Sequence, residues 1–272
     1  MMRWKVASRS SWCARAASIL VLGLMALAPA DHARAGQTCQ QHPLTTAQLE
    51  KGLALAQRTK QQLDSSGASV VLLARTGHNL SEYGLHYSHV GWAYKKDGKW
   101  LVVQKLNQCG TAVSSLYIQG LGEFFLDDMY LYDAGYVIPA PEVQKQLIAL
   151  IEEKARVTRM HTSAYNMLSY PWATRYQQSN QWALETLASA IDAQVSSRES
   201  AQAWLRLKGY RPTTLRIGAL KRLGARVTRA NIAFDDQPSD NRMANHIETV
   251  TVDSIFGWMQ HAELSGSVQT VH

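Results

Sequence analysis

The sequence predicts an α+β fold in which an antiparallel sheet packs against a helix that begins in a polar cluster. Residues 68–74 are apolar and β-branched, as in a buried strand. Residues 89–106 form two apolar stretches around Asp97-Gly98, a pair typical of two-residue hairpin turns. The helix after Ser179 has one apolar face, made by Trp182, Ala183, Leu187 and Ala190.

The first 35 residues have the features of a secretory signal. Arg3, Lys5, Arg9 and Arg15 form a basic start, and an apolar run follows at 16–30. Ala33-Arg34-Ala35 then gives a small-residue cleavage site, so we expect an exported, periplasmic protein cleaved after Ala35. An uncleaved anchor is the alternative, although the run is shorter than a comfortable bilayer crossing.

The net charge of the chain limits the kinds of binding partner that we expect. The chain has 272 residues and a formal charge of +7, but the leader holds five basic residues and one acidic residue, which leaves +3 for residues 36–272. We therefore expect no nucleic-acid partner and at most peripheral contact with an anionic surface.

Cys39 and Cys109 follow the leader, and an oxidising compartment favours a disulfide between them. The alternative is two unrelated thiols.

The remaining elements follow from local patterns. Thr45-x-x-Gln48 is a capping box, and Pro141 opens a helix predicted to reach about Arg156. Helices near 199–208 and 216–227, a strand at 246–252 and a short helix capped by Asp253 are expected after residue 196. We predict a core at 36–197 and an elaboration packed on it at 198–272, with a separate C-terminal lobe as the alternative.

The hairpin turn fixes which residues face each other. If Lys96 faces Lys99, then Gly91 faces Gln104, and His89 and Gln104 become diagonal neighbours on one face of the sheet. Gly91 has no side chain to obstruct their contact. A histidine that acts as a base needs a partner on its other ring nitrogen, and Gln104 can supply it. The alternative is a buried histidine that is hydrogen-bonded for packing.

Ser179 is open to two interpretations. Serine is a favoured N-cap, as is the neighbouring Asn180. As a nucleophile, the Ser179 hydroxyl would need His89 to remove its proton, because a helix N-terminus cannot ionise a hydroxyl as it can a thiol. Backbone N–H groups at the helix start, together with Gln178, Asn180 and Tyr176, would then hold the oxyanion and the substrate.

Three motifs carry a resemblance: Ala74-Arg75-Thr76-Gly77, Tyr87-Ser88-His89, and the run from Tyr176 to Trp182. They resemble an exported bacterial family of unknown function, and the order of histidine strand before helix resembles the circularly permuted NlpC-type papain-like superfamily. The resemblance implies a permuted papain-like core with a nucleophile-bearing helix. It also implies that serine stands at position 179 where cysteine is usual.

The resulting expectation is an envelope enzyme that hydrolyses or transfers an amide or ester, with Ser179 as nucleophile, His89 as base and Gln104 as orienting group. The alternative is a papain-like binding protein without catalysis. The expected partner is an envelope component: a peptidoglycan peptide, an acyl lipid or a protein. We expect no cofactor and no metal, since His86 and His89 would point to opposite faces of a strand.

One basic helix face has two interpretations of its own. Lys221, Arg222, Arg226 and Arg229 share a helical stretch, which favours a solvated surface. The functional alternative is contact with anionic lipid or cell-wall polymer.

Overall fold

The computed structural model describes residues 43–127 and 129–272, which form a mixed α+β structure with an antiparallel sheet, as predicted. The strands are β1 (Val70–Thr76), β2 (His89–Lys96), β3 (Lys99–Asn107), β4 (Ser114–Gly120), β5 (Leu131–Val137), β6 (Thr213–Arg216), β7 (His246–Thr249) and β8 (Gln269–Val271). The helices are α1 (Thr46–Ser65), α2 (Leu121–Leu126), α3 (Pro141–Glu152), α4 (Lys154–Arg159), α5 (Ser179–Ile191), α6 (Arg198–Leu207), α7 (Ala219–Thr228), α8 (Ser239–Met243) and α9 (Val252–His261). A 3-10 turn spans Ser81–Tyr83.

The main sheet has six strands in the order β4-β3-β2-β1-β5-β8, and every neighbouring pair is antiparallel. The predicted hairpin register is confirmed, because Lys96 pairs with Lys99 and Trp92 with Val103. β6 and β7 form a separate two-stranded sheet.

The main sheet is covered on both faces. Val71, Leu73 and Ala93 pack in one apolar cluster with residues of α1 and α2, and we call this side the α1 face. Val90 and Trp92 pack on the other side with α5 and α9, and we call it the α5 face. Successive strand residues alternate between these two faces.

The C-terminal residues enter the cluster of the α5 face. Leu205 of α6 and Ile255 and Met259 of α9 are buried in the same cluster as Leu187 of α5. The last strand, β8, extends the main sheet by pairing with β5. α6, α9 and β8 therefore share the core of the preceding residues, whereas Leu215 of β6 and Ile247 of β7 belong to a separate small cluster.

Of three predictions about where helices begin and end, one was confirmed and two were wrong. The capping box is confirmed, since Gln48 N–H donates to Thr45 Oγ1 at 3.2 Å while Thr45 N–H donates to Gln48 Oε1 at 2.9 Å. A single helix from Pro141 to about Arg156 was wrong, because Glu153 has extended backbone angles (φ −96°, ψ 97°) that separate α3 from α4. The last helix is capped by Thr251 rather than Asp253.

Several predictions concern the N-terminus. The leader, its cleavage site after Ala35 and Cys39 lie outside the described residues. The disulfide between Cys39 and Cys109 therefore stays a prediction. Across residues 43–127 and 129–272, the helices are too short or too polar to cross a bilayer.

Candidate functional site

The predicted contact between His89 and Gln104 is present. His89 Nε2 lies 2.7 Å from Gln104 Oε1, and Gln104 Nε2 donates in turn to Gln119 Oε1 at 2.5 Å. The Gln104 side chain is fully buried. A carbonyl oxygen can only accept, so His89 Nε2 carries the proton and Nδ1 keeps the lone pair. With this orientation, the Gln104 amide bridges Gln119 and His89 and selects the histidine tautomer.

The absence of a side chain at Gly91 makes this contact feasible. A Cβ at Gly91 would lie 2.5 Å from Val102 Cγ1 and 3.2 Å from Gln104 Cβ. Such a side chain would push β3 away from β2 at the position of Gln104. The glycine therefore positions Gln104 against His89.

Arg75 lies directly opposite His89 on β1 and was not recognised as a site residue from the sequence. Its guanidinium donates to the Phe124 carbonyl, pairs with Asp127 Oδ2 at 2.5 Å and stacks on the Phe124 ring at 4.9 Å. The ring of His89 is 6.1 Å from the same phenyl ring. We call Arg75, His89, Gln104, Phe124 and Asp127 the histidine cluster.

The electrostatics of the histidine cluster favour a neutral imidazole. Burial, with the charge of Arg75, lowers the pKa of His89 to about 3, although the Gln104 hydrogen bond and the Asp127 charge act in the opposite direction. Burial raises the pKa of Asp127, but Arg75 outweighs that effect and holds it below its ordinary value. Asp127 is therefore ionised, and its side chain is 45% exposed. His78 also acts on both groups and lowers both pKa values.

We expect His89 to stay neutral between pH 8 and 5, so its ring proton resonances should not titrate in that range. The unfolded chain binds a proton near pH 6.5, whereas the folded chain does so only near pH 3. Stability contributed by His89 is therefore complete above about pH 6.5 and is lost as the pH falls toward 3. Urea unfolding at pH 7 and pH 5 should show this loss.

A matched pair of variants separates this effect from general acid sensitivity. His89→Gln should weaken the decline between pH 7 and 5, while His261→Gln, at an exposed position on α9, should retain the decline of the parent protein. A His89 resonance that titrates near pH 6.5 would contradict the expectation.

Ser179 begins α5, as predicted, but the hydrogen bonds of the described residues do not join it to the histidine cluster. Its side chain is buried, with 4% of the residue exposed, and it lies beside the Tyr165 hydroxyl, where it acts against the rise that burial causes in the Tyr165 pKa. α5 packs on the α5 face, whereas His89 shares the α1 face with Arg75 and Phe124. The helix that carries Ser179 and the side chain of His89 are therefore on opposite faces of the sheet.

The predicted caps of α5 were wrong. Gln178 is the N-cap, since its Oε1 accepts from the Asn180 N–H at 2.9 Å, so neither Ser179 nor Asn180 has that role. The Asn180 N–H is thereby occupied within the cap. The Gln178 amide nitrogen donates to the Val250 carbonyl. Both predicted oxyanion residues thus have structural hydrogen-bond partners.

Asn180 ties α5 to the histidine strand. Its Oδ1 accepts from Val90 N–H at 3.1 Å, and its Nδ2 donates to the Ser88 carbonyl at 3.3 Å. These backbone groups flank His89 in the sequence. Tyr176 points elsewhere, because its hydroxyl donates to Asp235 at 3.4 Å and its ring stacks on Arg175. The motif around Ser179 therefore positions the start of β2.

A second polar network lies behind this motif. Glu185 is fully buried in α5 and is paired with Arg198 at 2.7 Å. Three amides also donate to its carboxylate, from Gln177, Gln181 and Gln202. The sequence signal was a glutamate on a largely apolar helix, but the sequence does not show that Arg198 is its partner.

Comparison with known proteins decides the family. A family model described as an uncharacterized protein conserved in bacteria, DUF2145, matches residues 62–259. The chain belongs to this family. The matched range contains the histidine cluster of this DUF2145 member and the motif at the start of α5. Searches of curated proteins and of solved structures found no match.

Proposed function

We propose that this chain is a binding protein of the periplasm whose ligand contacts the histidine cluster. The arrangement that supports the proposal is that α5 covers one face of the sheet while the His89 side chain lies on the other, with Arg75 and Phe124. A serine nucleophile needs a base within hydrogen-bond reach, and Ser179 instead contacts Tyr165 in the interior. The histidine cluster itself is ordered by polar contacts and reaches the surface at Asp127.

The proposed fold is a permuted papain-like core that has lost its thiol chemistry. The order of elements supports this assignment, because the strand that carries His89 precedes the helix that begins at Ser179. The contact between Gln104 and His89, which the resemblance also implies, is present. With serine at the start of α5 and His89 directed to the other face of the sheet, the core would serve as a scaffold for recognition.

The chemistry of the cluster favours a ligand rich in hydrogen-bond donors. Neutral His89 offers a lone pair at Nδ1, and ionised Asp127 offers a half-exposed carboxylate. The Arg75 guanidinium is 6% exposed and donates to the Phe124 carbonyl and to Asp127, while its buried Nε has no hydrogen-bond partner among the described residues. His89 Nδ1 and the Asp127 carboxylate are therefore both hydrogen-bond acceptors. An envelope peptide with free amino or amide groups, such as a peptidoglycan peptide, meets this requirement.

Calorimetric titration with muropeptides tests the proposal. We expect saturable binding by the parent protein, a loss of at least tenfold for Asp127→Asn, because a charged acceptor becomes neutral, and a comparable loss for His89→Ala. Ser179→Ala should bind as the parent does. His261→Ala, an exposed change on α9, is the matched control.

Two outcomes would contradict the proposal. Equal binding by Asp127→Asn and the parent would remove the histidine cluster from recognition. Cleavage of muropeptides or acyl lipids, detected as new masses and abolished by Ser179→Ala, would restore the hydrolase or acyl transferase hypothesis. The oriented tautomer of His89 is the observation that keeps this second function under test.

A further inference from the structure

Helix α7 carries an apolar stripe on its outer surface. Leu220, Leu223 and Val227 are 86%, 61% and 66% exposed, and the helix has no buried residue. Their spacing of three and four residues places them on one face. Most surface helices instead bury the apolar face and expose the polar one.

The polar face of α7 is the one that contacts the protein. The Arg222 guanidinium donates to the Ile217 carbonyl and to Asn245 Oδ1, the latter at 3.0 Å. Arg222, Ala225 and Arg229 are the less exposed positions of the segment, on the side opposite the stripe. The orientation of the helix is therefore fixed by its polar contacts, with the apolar residues directed outward.

Cationic side chains border the stripe. Residues 219–229 contain four basic residues and no acidic one. Lys221 is paired with Glu82 and lies 5.0 Å from the ring centre of Tyr83, while Arg226 is exposed on the other side of the stripe. Arg222 bonds only to neutral acceptors, so the segment keeps a positive charge.

We propose that α7 docks on an anionic lipid bilayer, with Leu220, Leu223 and Val227 inserted and the basic residues at the headgroups. An apolar stripe flanked by arginine and lysine is the pattern of helices that lie in the membrane interface. Three aliphatic side chains fall well short of the roughly 800 Å² per partner found in stable protein interfaces. A cell-wall polymer would match the charge but not the exposed leucines. This inference is independent of the proposed ligand.

Co-sedimentation with lipid vesicles tests this proposal. The protein is expressed from the full sequence in a bacterial host, and mass spectrometry determines the N-terminus of the purified protein. We expect binding to vesicles containing phosphatidylglycerol and little binding to phosphatidylcholine alone. Leu223→Glu should weaken binding by at least tenfold, since it places a charge in the stripe. Arg226→Gln should weaken it about fivefold, and high salt should weaken it further.

Leu207→Glu is the matched control, because Leu207 is 82% exposed but lies on α6. It should bind vesicles as the parent does, and all variants share one N-terminus. Equal binding by Leu223→Glu and the parent would overturn the proposal. The proposal would also be overturned if the protein formed a dimer without lipid and Leu223→Glu dissociated it. Binding to purified cell wall but not to vesicles would overturn it as well.

Discussion

Replacement of Arg198 by methionine is expected to lower the free energy of unfolding by about 3–5 kcal/mol, because Glu185 would stay buried without its countercharge. The two side chains are 6% and 1% exposed, and two nitrogens of Arg198 reach the carboxylate at 2.7 and 3.1 Å. The guanidinium also donates to the Thr174 carbonyl at 2.8 Å. Urea denaturation at pH 7 measures the change.

A double variant distinguishes the loss of the partner from the loss of packing. Glu185→Leu with Arg198→Met removes both charges, and we expect it to recover much of the lost stability. Arg211→Met, at an exposed position, should change stability by less than about 0.5 kcal/mol. A cost below about 1 kcal/mol for Arg198→Met would mean that water or another cation reaches Glu185.

Replacement of Trp182 by alanine is expected to cost about 3–5 kcal/mol. Trp182 is fully buried on α5 and packs in the same cluster as Val90 and Trp92 of the histidine strand. Truncation would leave a cavity between α5 and the sheet, because the closely packed residues around it can relax only in part. Thermal and urea unfolding measure the cost.

The matched control for this residue is Trp182→Phe. The indole nitrogen of Trp182 is buried and has no hydrogen-bond partner among the described residues. Phenylalanine keeps most of the ring and removes that unpaired donor, so we expect a change of less than about 1.5 kcal/mol. A cost for Trp182→Phe as large as for Trp182→Ala would indicate that the nitrogen has a partner.

Local sequence signals predicted the hairpin well. Asp97 has a positive φ of 49° and Gly98 of 75°, the backbone that a two-residue turn of this type requires. Once the turn was known, the two-residue period of strands determined that His89 and Gln104 share a face. The capping box at Thr45 was predictable for the same reason, since all its hydrogen bonds join residues close in the sequence.

The break between α3 and α4 shows where local signals were insufficient. The apolar spacing of residues 141–156 continues through Glu153, so periodicity gave no indication of an extended residue there. β4 and α2 were also not predicted, although Gln119 of β4, Phe124 of α2 and Asp127, the C-cap of α2, belong to the surroundings of His89. Those residues reach His89 only through strand pairing and the packing of α2.

The sequence by itself determined the hairpin register, the neighbourhood of His89 and Gln104, and a helix starting at Ser179, because each depends on turn chemistry or on short-range periodicity. Only the tertiary structure decided which face of the sheet that helix covers. The main sheet is apolar on both sides, so alternation along β2 could not indicate whether His89 or Val90 faces α5. The choice is made by long-range packing, in which Val90 and Trp92 meet Trp182 while His89 meets Arg75 and Phe124.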